Sequence, residues 1–193
     1  MENKIMISVD MDEWFQGRWA TGSKFSLWKD TKTFFQDVYK SDKPIGEIIP
    51  LTEFILQIFK ENNIIGTFFF TGEIARYYPD LVKMVAFNGH EIASHNDVHI
   101  DYNSTNKRLF EENLKKSKYT LEDIIGKEVI GYRAPNSTVA NYMIEILLKY
   151  NFKYDSSITP TRPFMGKFGK FTKAPINPYI LCKESPSNKI GRA

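Results

Sequence analysis

Cysteine and histidine are nearly missing from this chain of 193 residues, which has one Cys and three His. The lone Cys182 excludes an internal disulfide, and it reads as a small apolar residue because no free histidine remains to activate it as a nucleophile. No apolar run reaches the roughly 18–20 residues that span a bilayer, so no transmembrane segment is expected. The opening MENKIMISVD carries neither the apolar stretch nor the small-residue cleavage site of a signal peptide. Together these absences fit a reducing, cytoplasmic setting. Acidic residues are scarce at the other end: from Pro160 onward there are seven Lys/Arg and one acid, Glu184. This basic segment, 160–193, carries aromatics but no helical stripe and no nucleic-acid motif. It reads as a solvated loop or tail, and no nucleic-acid partner is expected.

Short apolar runs alternate with helical patterns. Strands are expected at 5–9, 65–70, 91–93, 129–132 and 152–154. Helices are expected at 47–61, at 73–87 with Pro79 opening a new segment, at 105–125 closed by Gly126, and at 139–150. Such alternation means βα units around a parallel sheet, in one α/β domain over residues 1–193. There is no internal repeat and no low-complexity block. The stretch 16–46, before the first long helix, is far longer than the ~2–6 residues of an ordinary βα loop. It holds Trp19, Phe25, Trp28, Phe34, Phe35 and Tyr39. Flat side chains there can stack on sugar rings or simply pack the insertion onto the body.

All three histidines crowd into GHEIASHNDVH, residues 89–99. His95 and His99 have i, i+4 spacing. On a helical turn their rings would share a face, with Cβ atoms roughly 5–6 Å apart, close enough to hold one divalent ion. A carboxylate must come from elsewhere. The residues following each strand supply it: Asp10, Asp12 and Glu13, then Thr71, then His95, then Arg133, then Asp155 and Ser156. In parallel α/β folds ligands bind at the carboxyl ends of strands, so these groups converge on one rim. Asp10 and Asp12 lie two apart and point to one side of a strand. One can hold a metal while the other stays free as a base, and Arg133 can orient a nearby carboxylate.

With these residues placed, the chain resembles the polysaccharide deacetylases of the NodB-homology type, carbohydrate esterase family 4, in a peptidoglycan-deacetylase-like, surface-glycan-associated branch. The resemblance runs over about residues 4–160, through SVDMDEWF, GTFFFTGEIA, GHEIASHNDVH, GYRAPN and YDSSITP. Asn96 stands where many members have Ser or Thr, and Asn136 where many have Tyr. The resemblance implies a distorted (β/α)7 barrel, left incomplete in this chain. It implies that Asp12, His95 and His99 bind a divalent metal, usually Zn2+, with Co2+, Ni2+ or Mn2+ also suited. Asp10 would be the catalytic base, held by Arg133, and the backbone N–H of Asn136 would help form the oxyanion hole. Substrate contacts are assigned to Trp14, Thr71 and Asp155. The implied activity is metal-dependent hydrolysis of a carbon–nitrogen amide bond, removing N-acetyl groups from a glycan or amino-sugar substrate. A homo-oligomer is left open.

One expected part is missing. Members usually carry a late histidine as general acid for the leaving amine, and this chain has none. His90 belongs to the lead-in to a strand and reads as structural. After five recognisable strands the pattern dissolves, and the segment after Pro175 reads as a connecting loop at a truncation point. The alternatives are a catalytically impaired carbohydrate-binding relic, or an amidohydrolase of the same fold acting on a non-sugar cyclic amide.

Overall fold

A computed structural model of the chain describes residues 5–21, 23–102, 106–158, 174–175 and 178. The expectations placed on Cys182 and the basic segment 160–193 fall outside the described residues, apart from Ala174, Pro175 and Pro178. Five strands form one parallel sheet: β1 (Ser8–Met11), β2 (Thr67–Phe70), β3 (Glu91–Ser94), β4 (Gly131–Tyr132) and β5 (Tyr154–Asp155), in the order β1-β2-β3-β4-β5. Between them run helices α1 (Thr31–Phe34), α2 (Ile48–Glu61), α3 (Gly72–Tyr77), α4 (Pro79–Phe87), α5 (Lys107–Ile125) and α6 (Tyr142–Lys149). The α/β architecture with a parallel sheet is the one expected, and the described residues hold these five strands of it.

Pleating divides the sheet. Met11, Phe68, Phe70, Ile92 and Tyr132 are buried in the core that the helices cover. Ser8, Asp10, Thr67, Phe69, Glu91 and Ala93 alternate with them onto the opposite face, aligned across β1, β2 and β3 by register. The first strand begins later than the apolar run 5–9 suggests. Its partner starts at Thr67, whose N–H donates to Ile7 O at 3.1 Å, so Ile5 and Met6 precede the ladder and stay exposed. Hydrogen-bond register, not hydrophobicity, sets the strand end.

Helix boundaries follow local chemistry. Tyr78 leaves helical geometry and Pro79 opens α4, where its missing N–H is not needed. Gly126 takes the left-handed conformation that ends α5, its N–H donating to Glu122 O at 2.8 Å. The aromatic insertion folds into a 3-10 turn (Trp14–Gln16), α1 and a π turn (Phe35–Tyr39). Phe15, Phe34 and Phe35 are buried there, with Trp28 edge-on to Phe34 at 4.9 Å. Glu13 pins the insertion to the body. Its Oε1 accepts from Ile48 N–H at 3.1 Å, capping α2, and both its oxygens accept from the Tyr78 hydroxyl at 3.2 Å. Burial pushes this carboxyl above its ordinary value despite those bonds.

Helices α3 and α5 approach closely through Gly72. A Cβ there would lie 2.3 Å from Oδ1 of Asp97 and 3.1 Å from Cα of Ser117 in α5. Gly72→Ala is therefore expected to destabilise the fold by ~1–3 kcal/mol in urea denaturation, although alanine ordinarily favours a helix over glycine by about 1 kcal/mol. A variant as stable as the parent would mean that α3 and α5 can part without cost.

Candidate metal centre and catalytic rim

The carboxyl ends of β1 and β3 face each other across β2. Asp12 follows β1, and His95 follows β3, its N–H donating to Phe70 O of β2 at 2.7 Å. Asp12 Oδ2 lies 3.9 Å from His95 Nε2 and 3.5 Å from His99 Nε2. The three ligand atoms fall within 4.8 Å of one another. Burial is graded: the side chain of His95 is 1% exposed, that of His99 10% and that of Asp12 31%. The cluster is closed beneath and open on the Asp12 side.

Spacing brought the two histidines to notice, but not by the expected route. Residues 95–100 are a loop with a bend, and Asn96 is left-handed at φ 65°. The rings meet, 5.2 Å between centroids, because the loop doubles back rather than because a helix stacks them.

The donor set fits a divalent ion. Two imidazole nitrogens and one carboxylate oxygen, with one open side, are the ligands of a catalytic rather than a structural zinc site. Burial pushes the His95 pKa down, which favours the neutral imidazole that a metal needs. His95 Nδ1 lies 2.7 Å from Arg133 O. Donation through that contact leaves the Nε2 lone pair turned to Asp12, the arrangement common behind metal-bound histidines. Among the described residues nothing bonds His99 Nδ1, which is buried.

Arg133 also forms the other half of the rim. Its guanidinium donates to Asp10 Oδ1 at 2.6 Å, to Ser8 Oγ at 2.9 Å and to Ser156 Oγ at 2.8 Å, and its Nε reaches Ser156 O at 3.2 Å. It lies 4.1 Å over the Phe69 ring. Ser8 was legible as a neighbour, since it shares the strand face of Asp10. Ser156 was among the strand-end residues expected on the rim, whereas the Phe69 platform was not legible, because it depends on where the guanidinium crosses the sheet.

The remaining predicted residues scatter. Trp14 is 63% exposed and meets Trp19 edge-on at 5.3 Å. Asn136 is left-handed at φ 54°, followed by Ser137 at φ 51°, and its Nδ2 donates to Asp101 Oδ1 at 3.1 Å. Asp101 in turn pairs with Arg18 of the insertion at 2.8 Å. Thr71, expected to contact substrate, lies beneath the rim as the cap of α3. It is fully buried, and its hydroxyl accepts from Ile74 N–H at 3.2 Å and from Gln16 Nε2 at 3.0 Å. Asp155, for which a substrate contact was also expected, is engaged by its own loop. Both its carboxylate oxygens bond to Ser157, whose Oγ accepts from Ala134 N–H at 2.8 Å. It supports the Arg133 loop from behind. His90 caps nothing at the rim: it is buried against Phe59 and Phe68, and its Nδ1 accepts from Gly66 N–H at 3.3 Å.

Together these make an open two-histidine, one-aspartate cluster beside an arginine-held carboxylate at the strand ends of a parallel sheet, an arrangement suited to hydrolytic chemistry. Comparison with known proteins agrees. Residues 41–154 match the family model "Polysaccharide deacetylase", and the chain belongs to that family. It is 33% identical to the peptidoglycan deacetylase of Helicobacter pylori over 104 residues, covering 54% of this chain and 36% of that one. It is 27% identical to the peptidoglycan-N-acetylglucosamine deacetylase of Bacillus cereus over 107 residues, covering 55% and 39% respectively. A solved Mycobacterium smegmatis chain assigned to the polysaccharide deacetylases shares the fold, with TM-score 0.59, 23% identity and coverage of 79% of this chain and 50% of that one. The chain thus spans well under half the length of the two curated relatives named. No helix among the described residues is long and apolar enough to cross a membrane.

Burial pushes the Asp155 carboxyl up from 3.8 to about 6, against the lowering effects of its Ser157 bonds and of Arg133. A carboxyl raised in the folded state binds protons that the unfolded chain releases, so its contribution to stability is full below pH ~4 and is lost as pH rises through ~6. Asp155→Asn lacks that dependence. Measured by denaturation from pH 4 to pH 7, the variant should gain stability relative to the parent as pH rises. A constant difference would contradict the assignment.

Proposed function

We propose that the chain is a metal-dependent hydrolase that removes N-acetyl groups from a glycan, the amino sugar of peptidoglycan or a related polysaccharide. The observation that carries this reading is the double use of Arg133: its carbonyl faces His95 of the candidate metal cluster, and its guanidinium holds Asp10. One residue ties a ligand set to a candidate base. Family membership and the names of the relatives support the same chemistry.

In this reading Asp12, His95 and His99 hold the ion, zinc by preference of the donor set, with cobalt, nickel and manganese also suited. When bound, a divalent cation supplies Lewis acidity towards an amide carbonyl and towards water. Asp10 takes the proton from the attacking water at its carboxylate. Arg133 fixes that carboxylate's direction and balances its charge. The backbone N–H of Asn136 donates to the oxygen that gains charge as the carbonyl carbon becomes tetrahedral, an effect typically worth a few kcal/mol. Trp14 and Trp19 offer exposed ring faces on which a pyranose can stack. The departing amine needs a proton. All three histidines are committed, two to the cluster and His90 to the core. Asp10, having accepted a proton, is the group placed to return it.

Asp12→Ala should reduce zinc content, measured by atomic emission, to background, and should abolish acetate release from N-acetylglucosamine oligomers. Zinc retained at the parent's level would sink the ligand assignment. Arg133→Lys keeps a positive charge but loses the planar fork. It should retain zinc yet release acetate about 10²-fold more slowly. A second reading is a glycan-binding protein without turnover. Acetate release by the parent no faster than by His95→Ala, with the oligomer still bound, would favour it.

A further inference from the structure

We propose that Asp97 is a positioning residue for the loop that carries His95 and His99, and that it sets the affinity of the site for metal; the proposal rests on the reading of Asp12, His95 and His99 as ligands. Asp97 lies midway between the two histidines, yet its side chain is only 2% exposed and turns away from them into the protein. Arg76 of α3 grips both its oxygens, through Nη1 on Oδ1 and Nη2 on Oδ2 at 3.1 Å. Lys116 of α5 donates to Oδ2 at 2.8 Å. The backbone is held as well: Asn96 O and Asp97 O accept from Gly72 and Glu73 N–H, the first two of α3, each at 2.9 Å. The loop therefore hydrogen-bonds to the first turn of α3, and the Asp97 carboxylate extends into the gap left by the missing Cβ of Gly72.

Such a carboxylate is a poor device for stability alone. Only the carboxylate is buried, while Arg76 and Lys116 are 37% and 55% exposed, so its desolvation offsets much of an attraction that solvent also screens. What it can supply is direction. The loop lacks helical hydrogen bonds and passes through left-handed Asn96, so nothing in the local backbone alone keeps two rings converging on one point. The clamp on Asp97 fixes the loop's middle to two helices, and the imidazoles on either side inherit that position. Arg76 and Lys116 do not touch the ligands; they act through Asp97.

The test compares the full chain with Asp97→Asn, which keeps the shape but weakens both ionic contacts, and with Lys116→Gln, which leaves the arginine grip intact. Zinc and cobalt affinities are measured by competition with a chelator, the cobalt d–d spectrum is recorded, and the metal-free proteins are unfolded in urea. Asp97→Asn is expected to bind both metals about tenfold more weakly and to alter the cobalt spectrum. Lys116→Gln should do the same to a smaller degree, and it carries the test if Asp97→Asn does not fold. Parent-like affinity and spectrum in the variants would overturn the proposal, even if their metal-free stability fell, because that is the signature of a merely structural role. A parent chain that binds neither metal would overturn the ligand reading itself, and the proposal with it.

Discussion

The contacts of Arg133 organise the rim. Its backbone continues the sheet, with its N–H donating to Ser94 O at 2.9 Å, so the residue is fixed before its side chain does anything. From there its carbonyl faces one histidine, and its guanidinium crosses the ring of Phe69 to reach β1. The guanidinium fork makes this possible: five fixed donors can serve Asp10, Ser8 and Ser156 at once. Strands β1 and β5 are thus referenced to one side chain extending from the end of β4, and β3 to the backbone of the same residue. Displacement of Arg133 would change the orientation of the candidate base and the tautomer of a candidate ligand together.

What could be read from the sequence was what obeys a period or a position. The helices followed their apolar spacing, and Pro79 and Gly126 marked their boundaries. The rim followed from the rule that functional groups gather after strands. That same rule did not show the structural contacts of Thr71 and Asp155, because a residue after a strand can also cap the next helix or brace a neighbouring loop. For Thr71 the competing signal was visible: a threonine directly before Gly72 and Glu73, where a helix begins, is a cap by chemistry. For Asp155 the competing partner, Ser157, is only two residues away, but nothing in the pattern says which way the strand end turns.

Asp97 illustrates the other limit. Its partners Arg76 and Lys116 lie 21 and 19 residues away in opposite directions along the chain. No periodicity links them, and an aspartate between two histidines looks like one more exposed loop acid. Only packing reveals that it is buried. The histidine pair is the converse case. Its spacing was informative without fixing the conformation, because a tight loop and a helical turn both bring residues four apart close together.

The candidate cluster also has a mechanical side. Asp12 directly follows β1, which pairs within the described sheet only with β2, whereas His95 and His99 follow β3 two strands away. An ion gripped by all three would bridge over β2 and clasp the outer strand to the interior one. Occupancy would then resist peeling of β1, and the folded population would rise with free ion concentration as mass action requires. Withdrawal of such an ion would then act as a mild denaturant, loosening the described sheet where β1 meets β2.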